Sequence, residues 1–234
     1  MKLLAVETAT EACSAALYLD GEITERFSLT VNEHTKLILP MIDTLMSEAG
    51  LRPQQLDALA FGCGPGSFTG VRIATGVIQG IAFGADLPVV PISTLAAIAQ
   101  DYFDSNDNMQ QNTAFTAMDA RMGEIFWGVY NRDDQGCAAL IGKESVTLAN
   151  DIEFPDLNGI GLGSGWGIYE DELLLRLAGK VNHYELDIRP RARAIARLGA
   201  RGFDLGLAVA VELAMPVYLR DKVAKTEAER QSAS

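Results

Sequence analysis

The sequence predicts an α/β protein made of two similar halves, and three observations predict it. The first hundred residues alternate three strand patterns, a helix, a strand, a helix, a strand and a helix, the order of a mixed sheet flanked by helices. New strand patterns follow a polar run at 104–112. Each half also has a glycine-rich segment between a strand and a helix, at 62–66 and 159–167. We therefore expect a mixed sheet flanked by helices in each half.

The N-terminus predicts a three-stranded antiparallel meander. Lys2–Val6 and Ala12–Leu19 are apolar strand patterns separated by the turn Glu7–Glu11. Asp20-Gly21 is a two-residue hairpin signal, and the residues after it alternate as a third strand, Glu22–Val31.

The first helix is predicted from Asn32 or Thr35, either of which can cap it, to Ala49. Its apolar residues recur at intervals of three and four, Pro40 lies inside it, and Gly50 is in the position of a C-terminal cap. The other elements predicted in this half are the strand Leu56–Cys63, the helix Val71–Phe83, the strand Leu87–Ile92 and the helix Leu95–Phe103, capped by Ser93 or Thr94.

The second half is predicted to begin with strands and to end with helices. The predicted domains are 1–103 and 113–224, joined by a linker at 104–112 and followed by a polar tail at 225–234. The predicted elements are the strands Thr113–Met118 and Glu124–Asn131, two shorter strands at Cys137–Ile141 and Glu144–Val146, and the helices Glu170–Ala178 and Pro190–Leu207.

The composition excludes several classes of protein. A hydrophobic content of 48% allows a full core, and 31 acidic against 19 basic residues give a net charge of −12, which repels nucleic acid and anionic lipid. Cys13, Cys63 and Cys137 are odd in number and widely spaced, as reduced core thiols are. The N-terminus has no signal-peptide pattern, and no window approaches the ~20 apolar residues of a membrane span. We expect a soluble, cytoplasmic chain that does not enter a membrane.

The most unusual stretch runs from Gly62 to Gly84. Ser67 and Thr69 can cap the helix that follows, and that helix is apolar or small on nearly every side, so it must be covered on more than one face. Its glycines repeat every fourth residue and cost roughly 2–3 kcal/mol together relative to alanine. Close packing by another helix would offset that cost. The stripe comprises Gly76, Gly80 and Gly84.

Four segments carry a family resemblance. The opening KLLAVETAT, the turn GPGSFTGVR, the helix start PISTLAAIA and the final PVYLRDKVA resemble the TsaB (YeaZ-like) family over the chain to about Ala224. This resemblance implies an actin-like ATPase fold of two similar subdomains. It also implies a non-catalytic partner for TsaD, which transfers a threonylcarbamoyl group to an adenosine beside the tRNA anticodon, together with the ATPase TsaE. The resemblance further implies a homodimer in the absence of TsaD and contact with tRNA only through the complex.

The resemblance also implies a partner interface. In this family, the helix after the third strand and the helix after the glycine turn meet their equivalents in TsaD, or in a second copy, as a helical bundle. The residues predicted to form it are His34, Leu37, Met41, Leu45, Phe68, Arg72, Thr75, Gly76, Gln79, Gly80 and Phe83.

The chain departs from catalytic actin-like proteins at two places. Where those proteins have an Asp-x-Gly-Thr phosphate loop, residues 7–10 read Glu-Thr-Ala-Thr, and Thr94 and Ile98 align with the metal-binding histidine pair of the catalytic homologue. The chain's two histidines, His34 before the first helix and His183 near a strand, have no carboxylates at ligand spacing. We therefore expect no enzymatic activity and no required cofactor. The alternative is a weak ATPase or a peptidase acting alone.

Three further features keep two interpretations each. Ser67 resembles a hydrolase nucleophile by its turn but lacks the G-x-S-x-G pattern, so a helix cap is the favoured interpretation. The second glycine segment is either a tight turn or a nucleotide contact, the latter compatible with a nucleotide at the interface of the complex. Its candidate residues are Gly161, Gly163, Ser164 and Gly165. The last helix carries arginines that either touch RNA phosphate or form a solvated face: Arg191, Arg193, Arg197 and Arg201.

Overall fold

The computed structural model describes residues 1–30, 32–106 and 111–220. The end of the predicted third strand at Val31, residues 107–110 of the predicted linker, and residues 221–234 with the predicted tail lie outside this part of the chain. The first half contains the strands β1 (Lys2–Glu7), β2 (Ala12–Leu19), β3 (Glu22–Leu29), β4 (Ala58–Gly64) and β5 (Val89–Ser93), with the helices α1 (His34–Glu48), α2 (Phe68–Ala85) and α3 (Thr94–Ser105). The second contains β6 (Thr113–Arg121), β7 (Glu124–Arg132), β8 (Ala138–Leu148), β9 (Gly159–Leu162) and β10 (Val181–Glu185), with α4 (Gly165–Ile168), α5 (Glu170–Leu177) and α6 (Ala192–Asp204).

The two sheets have the same topology. The first is ordered β3-β2-β1-β4-β5, and the second, counted from the other edge, is β8-β7-β6-β9-β10. In each sheet the first three strands form an antiparallel meander and the last two run parallel to the central strand or its neighbour. This repeat confirms the predicted fold class, two similar α/β halves of the actin-like kind.

Several local predictions are confirmed by the backbone. Asp20 and Gly21 both have positive φ, at 49° and 103°, as a hairpin turn between twisted strands requires. The hydroxyl oxygens of Ser67 and Ser93 accept hydrogen bonds from backbone N–H groups in the first turns of α2 and α3. Side-chain capping therefore starts both helices, at the positions predicted from the sequence.

Other local predictions are wrong. Glu33, not Asn32 or Thr35, precedes the first turn of α1 without a side-chain capping bond, so His34 is the first residue of the helix rather than a residue before it. The two short strands predicted near 140 are one strand, β8, whose register shifts beside Gly142 at φ +77°. Strand β10 was not predicted, because VNHYE is short and has three polar residues among its five.

The halves interlock through their last helices. Helix α6 of the second half packs on β1, β2 and β4 of the first sheet, while α3 of the first half packs on β6, β7 and β8. The approach of α6 is close because Gly199 faces the sheet: a Cβ there would lie 2.6 Å from the Cβ of Ala60. The two halves are thus joined by one chain connection at the predicted 104–112 boundary, but two helices, α3 and α6, each pack on the sheet of the opposite half.

The arginines of α6 are held by carboxylates of the chain itself. Arg191 pairs with Glu25 of β3 at 2.5 Å, and Arg193 pairs with Asp101 of α3 at 2.5 Å. Arg197 pairs with Asp104 at 2.8 Å. Each of these three arginine side chains is about one-third exposed and paired with a carboxylate, which agrees with a partly solvated face that balances the acidic excess. These three ion pairs connect α6 and its N-cap residue to β3 and α3.

The cysteines and tryptophans are core residues. Cys13, Cys63 and Cys137 are free and buried, and burial raises the pKa of the Cys13 thiol to about 11 and of the Cys63 thiol to about 12. Trp127 and Trp166 are fully buried, and each indole N–H donates to a backbone carbonyl. Thiols with such pKa values are inert structural groups.

One helix among the described residues, α2, is long and apolar enough by composition to cross a membrane. A core helix of a water-soluble protein passes the same test, and about a third of α2 is buried within this chain.

Candidate docking face and cleft

Among the residues that the structure describes, those that cover helix α2 lie on one side of it only. Its buried residues pack on the core above β1 and β4, while the opposite side is open. Phe68 and Phe83, at the two ends of that open side, are 66% and 81% exposed. The residues that face inward are Gly70, Val71, Ala74, Thr75, Ile78 and Ala82.

The glycine stripe lies on the open side. A Cβ built at Gly76, Gly80 or Gly84 meets no atom within 4 Å, so no described element of the chain packs there. The cost of three mid-helix glycines is therefore not offset by packing inside the chain. An exposed apolar helix face without side-chain bulk is suited to close approach by a second helix.

Helix α1 lies beside α2 and contributes less to the open face than predicted. Leu37 and Met41 are half-buried at the edge of the core, and the Nε2 atom of His34 lies 2.8 Å from the carbonyl oxygen of Thr10. Leu45 is only 1% exposed, and Thr75 of α2 is buried with its hydroxyl donating to the carbonyl of Val71. The prediction that Leu45 and Thr75 lie in a contact surface is corrected, because both are occupied in the chain's own core.

The residues after α6 extend this face. The side-chain amide of Gln79 donates to the carbonyl of Ala214 at 2.8 Å, and the backbone N–H of Val217 donates to the carbonyl of Cys63 at 2.8 Å. The guanidinium of Arg72 lies over the ring of Phe68, 3.3 Å from its centroid, and 5.0 Å from the ring centroid of Tyr218. The final PVYLRD is an irregular segment without a periodic signal, so only the family resemblance draws attention to it in the sequence.

A cleft of about 770 Å³ opens between the two halves at the N-terminal end of α2. Its walls come from both sheets and from the residues after α6. The lining includes the backbone at 9–11 and 65–68, the β6 end at 118–121, Ser164, Ile168 and the segment 217–220.

The first turn of the cleft, residues 7–10, is packed tightly against the start of α2. A Cβ on Gly66 would lie 2.6 Å from the carbonyl oxygen of Ala9, and one on Gly70 would lie 2.1 Å from that of Thr8. The Thr8 hydroxyl donates to the Gly70 carbonyl at 2.7 Å. The glycines of GPGSFTG therefore allow the backbone of Thr8 and Ala9 to pack closely against the start of α2.

Glu7 is the buried acid of this turn. One carboxylate oxygen accepts a hydrogen bond from the N–H of Ala9 at 2.5 Å, and the other has no partner among the described residues. Complete burial disfavours the charged form and raises the pKa of Glu7 to about 7, against the backbone hydrogen bonds of Ala9 and Thr8, which lower it. The side chain does not line the cleft.

The second glycine segment holds a tight turn. A Cβ on Gly161 would lie 2.4 Å from the Trp166 ring, and Gly163, at φ +99°, and Gly165 both press on Ala117 of β6. Only Ser164 faces the cleft, with its hydroxyl 3.3 Å from the N–H of Asp119. The glycines serve packing, so of the four nucleotide candidates Ser164 alone is placed to touch a ligand in the cleft.

The histidine positions do not converge. His34 lies at the start of α1, whereas His183 lies on β10 in the other half, 4.0 Å from Glu185. Thr94 and Ile98 of α3 are buried, and the Thr94 hydroxyl has no hydrogen-bond partner. Within residues 1–30, 32–106 and 111–220, no group of three His, Cys, Asp or Glu side chains is arranged to hold a metal.

Comparison with known proteins identifies the family. The family model described as TsaD, tRNA N6-adenosine threonylcarbamoyltransferase, matches residues 28–163. The tRNA threonylcarbamoyladenosine biosynthesis protein TsaB of Escherichia coli K12 is 40% identical over 228 residues, which is 96% of each chain. The chain belongs to the TsaB family, within the wider family that the TsaD model describes.

Solved structures agree with the fold of this TsaB-family chain. The crystal structure described as YeaZ from Pseudomonas aeruginosa is 38% identical, with a TM-score of 0.84, and the match covers 93% of this chain and 99% of that one. A second structure from the same organism, described as an uncharacterized protein with similarity to the peptidase YeaZ, is 37% identical with a TM-score of 0.84, covering 94% and 99%.

Proposed function

We propose that this TsaB-family chain is a non-catalytic subunit of the complex that forms threonylcarbamoyladenosine beside the anticodon of tRNAs. It binds and activates TsaD through the open face of α2 and works with the ATPase TsaE. The observation that carries the proposal is the exposed glycine stripe of Gly76 and Gly80 between two exposed phenylalanines. Because part of the chain matches the TsaD family model, TsaD has an equivalent helix pair with which α1 and α2 can pack pseudo-symmetrically.

Three properties of the loops support a non-catalytic role. The turn at 7–10 is filled by Ala9 and packed on Gly66 and Gly70, which leaves no gap for phosphate between it and α2. Its acid, Glu7, points into the core rather than into the cleft. Thr94 and Ile98 are not metal ligands by their chemistry. We propose that the chain requires no cofactor, that a nucleotide of the complex contacts it at Ser164, and that tRNA is reached only through TsaD.

The net charge of the chain and the open face of α2 also support a cytoplasmic location and a homodimer in the absence of TsaD. A net charge of −12 disfavours direct contact with tRNA phosphate or an anionic membrane surface, in keeping with a cytoplasmic protein. Without TsaD, the same α2 face accommodates a second copy of the chain as a homodimer.

The proposal is tested by co-purification of the chain with TsaD of the same organism, followed by size-exclusion chromatography with and without TsaE. The variant Gly80→Leu places a large side chain in the open stripe, so we expect it to abolish co-elution while the monomer stays folded. Formation of modified tRNA by the reconstituted complex should fall in parallel. Undiminished co-elution of the folded variant would remove α2 from the interface.

The alternative is an enzyme acting alone, either an ATPase or a peptidase. The peptidase candidate is supported by the description of one Pseudomonas structure and by the turn that contains Ser67. The Ser67 hydroxyl lies at 3.4 Å from the N–H of Gly70, which it caps. Substantial ATP or peptide hydrolysis by the purified chain, lost in a Ser67→Ala variant in the peptidase case, would establish this alternative.

A further inference from the structure

The open face of α2 is continued by the chain after α6. Leu213, Met215 and Tyr218 are 68%, 57% and 49% exposed, although the backbone between them is fixed by the hydrogen bonds to Gln79 and Cys63. A rigid backbone that presents large apolar side chains to solvent is a feature of a contact surface. We call the exposed side of α2 together with residues 213–218 the composite face.

Arg72 is the charged residue on the α2 part of this face. Its guanidinium stacks 3.3 Å from the Phe68 ring centroid, lies 5.0 Å from that of Tyr218, and donates to the Phe68 carbonyl at 2.9 Å. These contacts fix the side chain in one place and leave its other N–H groups free to donate.

Arg72 also has no carboxylate partner among the described residues, in a chain with 31 acidic side chains. Other arginines are paired within the chain, as Arg26 is with Glu48 and Arg220 is with Glu124. A preorganised, unpaired guanidinium in the middle of an apolar surface is a typical recognition element for a carboxylate brought by a partner.

We infer that the composite face docks the TsaD-type partner with residues 213–218 as its second element, and that Arg72, clamped by Phe68 and Tyr218, binds a carboxylate of that partner. This inference rests on the proposed function and adds to it the segment 213–218 and the chemistry of the contact. The partner, not a second copy, is the favoured occupant, because two chains of net charge −12 repel each other and α2 itself contains no acidic residue.

The geometry predicts that lysine will not replace arginine at position 72. A planar guanidinium stacks on an aromatic ring and still donates in its own plane, which an ammonium group does not. Tyr218 therefore acts as a positioning residue for Arg72, and its removal should weaken binding through Arg72 rather than only through lost apolar contact.

The test measures the dissociation constant of the chain with TsaD of the same organism at 50 and 500 mM NaCl. We expect Arg72→Met to weaken TsaD binding about tenfold at low salt and to reduce the salt dependence of binding. Arg72→Lys should weaken binding nearly as much. Tyr218→Ala should have a smaller effect in an Arg72→Met background than in the wild-type chain. Arg176→Met is the matched control, because Arg176 also stacks on a ring, that of Phe154, and donates to a backbone carbonyl, but lies on α5 of the other half.

The remaining outcomes each overturn the inference. Wild-type affinity in Arg72→Met, or an equal loss at both salt concentrations, would exclude a carboxylate contact. A homodimer that dissociates in Arg72→Met while TsaD binding is unchanged would assign the carboxylate to a second copy. If Gly80→Leu abolishes TsaD binding but Arg72→Met leaves it at the wild-type level, the inference about Arg72 fails while the proposed function stands. If the wild-type chain does not bind TsaD, both the inference and the proposed function fail.

Discussion

The unpartnered carboxylate oxygen of Glu7 occupies the space that a side chain at Gly62 would fill. A Cβ built on Gly62 lies 1.8 Å from that oxygen, and the two residues are neighbours on the adjacent parallel strands β1 and β4. A glutamate at the end of β1 is therefore accommodated only because β4 has glycine beside it. An acid placed in this way is fully buried in the protein core.

Glu7 makes the stability of the chain depend on pH. Its pKa is about 7 in the folded protein against an ordinary value of 4.5, so the folded state binds more protons than the unfolded state between these values. The free energy of unfolding should therefore fall as pH rises from 4.5 to above 7, by roughly 3 kcal/mol from this group. Glu7→Gln removes the titration, so its stability relative to wild type should increase over this range in urea denaturation at pH 5, 6, 7 and 8.

The control for this prediction is Glu22→Gln in the exposed β2–β3 hairpin, which should not change the pH dependence. A wild-type curve parallel to that of Glu7→Gln from pH 5 to 8 would contradict a buried, titrating Glu7.

The contact between Glu7 and Gly62 predicts a specific coupling. Gly62→Ala should destabilise the chain by about 1–3 kcal/mol, because the new methyl group overlaps the carboxylate. In a Glu7→Ala background the same substitution should cost much less, which a double-mutant cycle in urea denaturation measures. Additive effects of the two substitutions would mean that Gly62 is required for another reason.

The first half of the fold was predictable because its signals are local. The Asp20-Gly21 turn, the serine caps and the apolar runs of β1 and β2 each lie within a few residues, and all are confirmed. The cap of α1 was mispredicted because the expected signal residues, Asn32 and Thr35, lie one or two positions from the true boundary at Glu33.

The candidate site was predictable only in part, since its exposure depends on tertiary packing. The four-residue spacing of Gly76 and Gly80 shows a stripe but not which side of α2 the core covers. The family resemblance assigns Leu45 and Thr75 to the interface, and only the packed structure shows that they face inward. The contribution of Tyr218 comes from a segment over a hundred residues away, which no sequence window links to Arg72.

The ion pair between Arg193 and Asp101 should contribute more to the free energy of unfolding than an exposed ion pair does. It joins α6 to α3, the two helices through which the halves interlock, and Asp101 is buried. Asp101→Asn leaves the guanidinium without its partner and should destabilise the chain by about 2 kcal/mol or more in thermal or urea unfolding. Glu48→Gln, which breaks the exposed pair with Arg26, should cost less than about 1 kcal/mol. Equal costs would show that α6 is held by apolar packing alone.

The glycines of α2 should separate into two classes when each is replaced by alanine. Gly80→Ala adds a methyl group in open space and improves helix propensity, so it should raise the free energy of unfolding by about 0.5–1 kcal/mol. Gly70→Ala, in the same helix, places its methyl group 2.1 Å from the Thr8 carbonyl oxygen and should destabilise the chain strongly. Urea denaturation of the chain alone measures both. If Gly80→Ala destabilises as Gly70→Ala does, the stripe is packed against the chain itself and is not open to a partner.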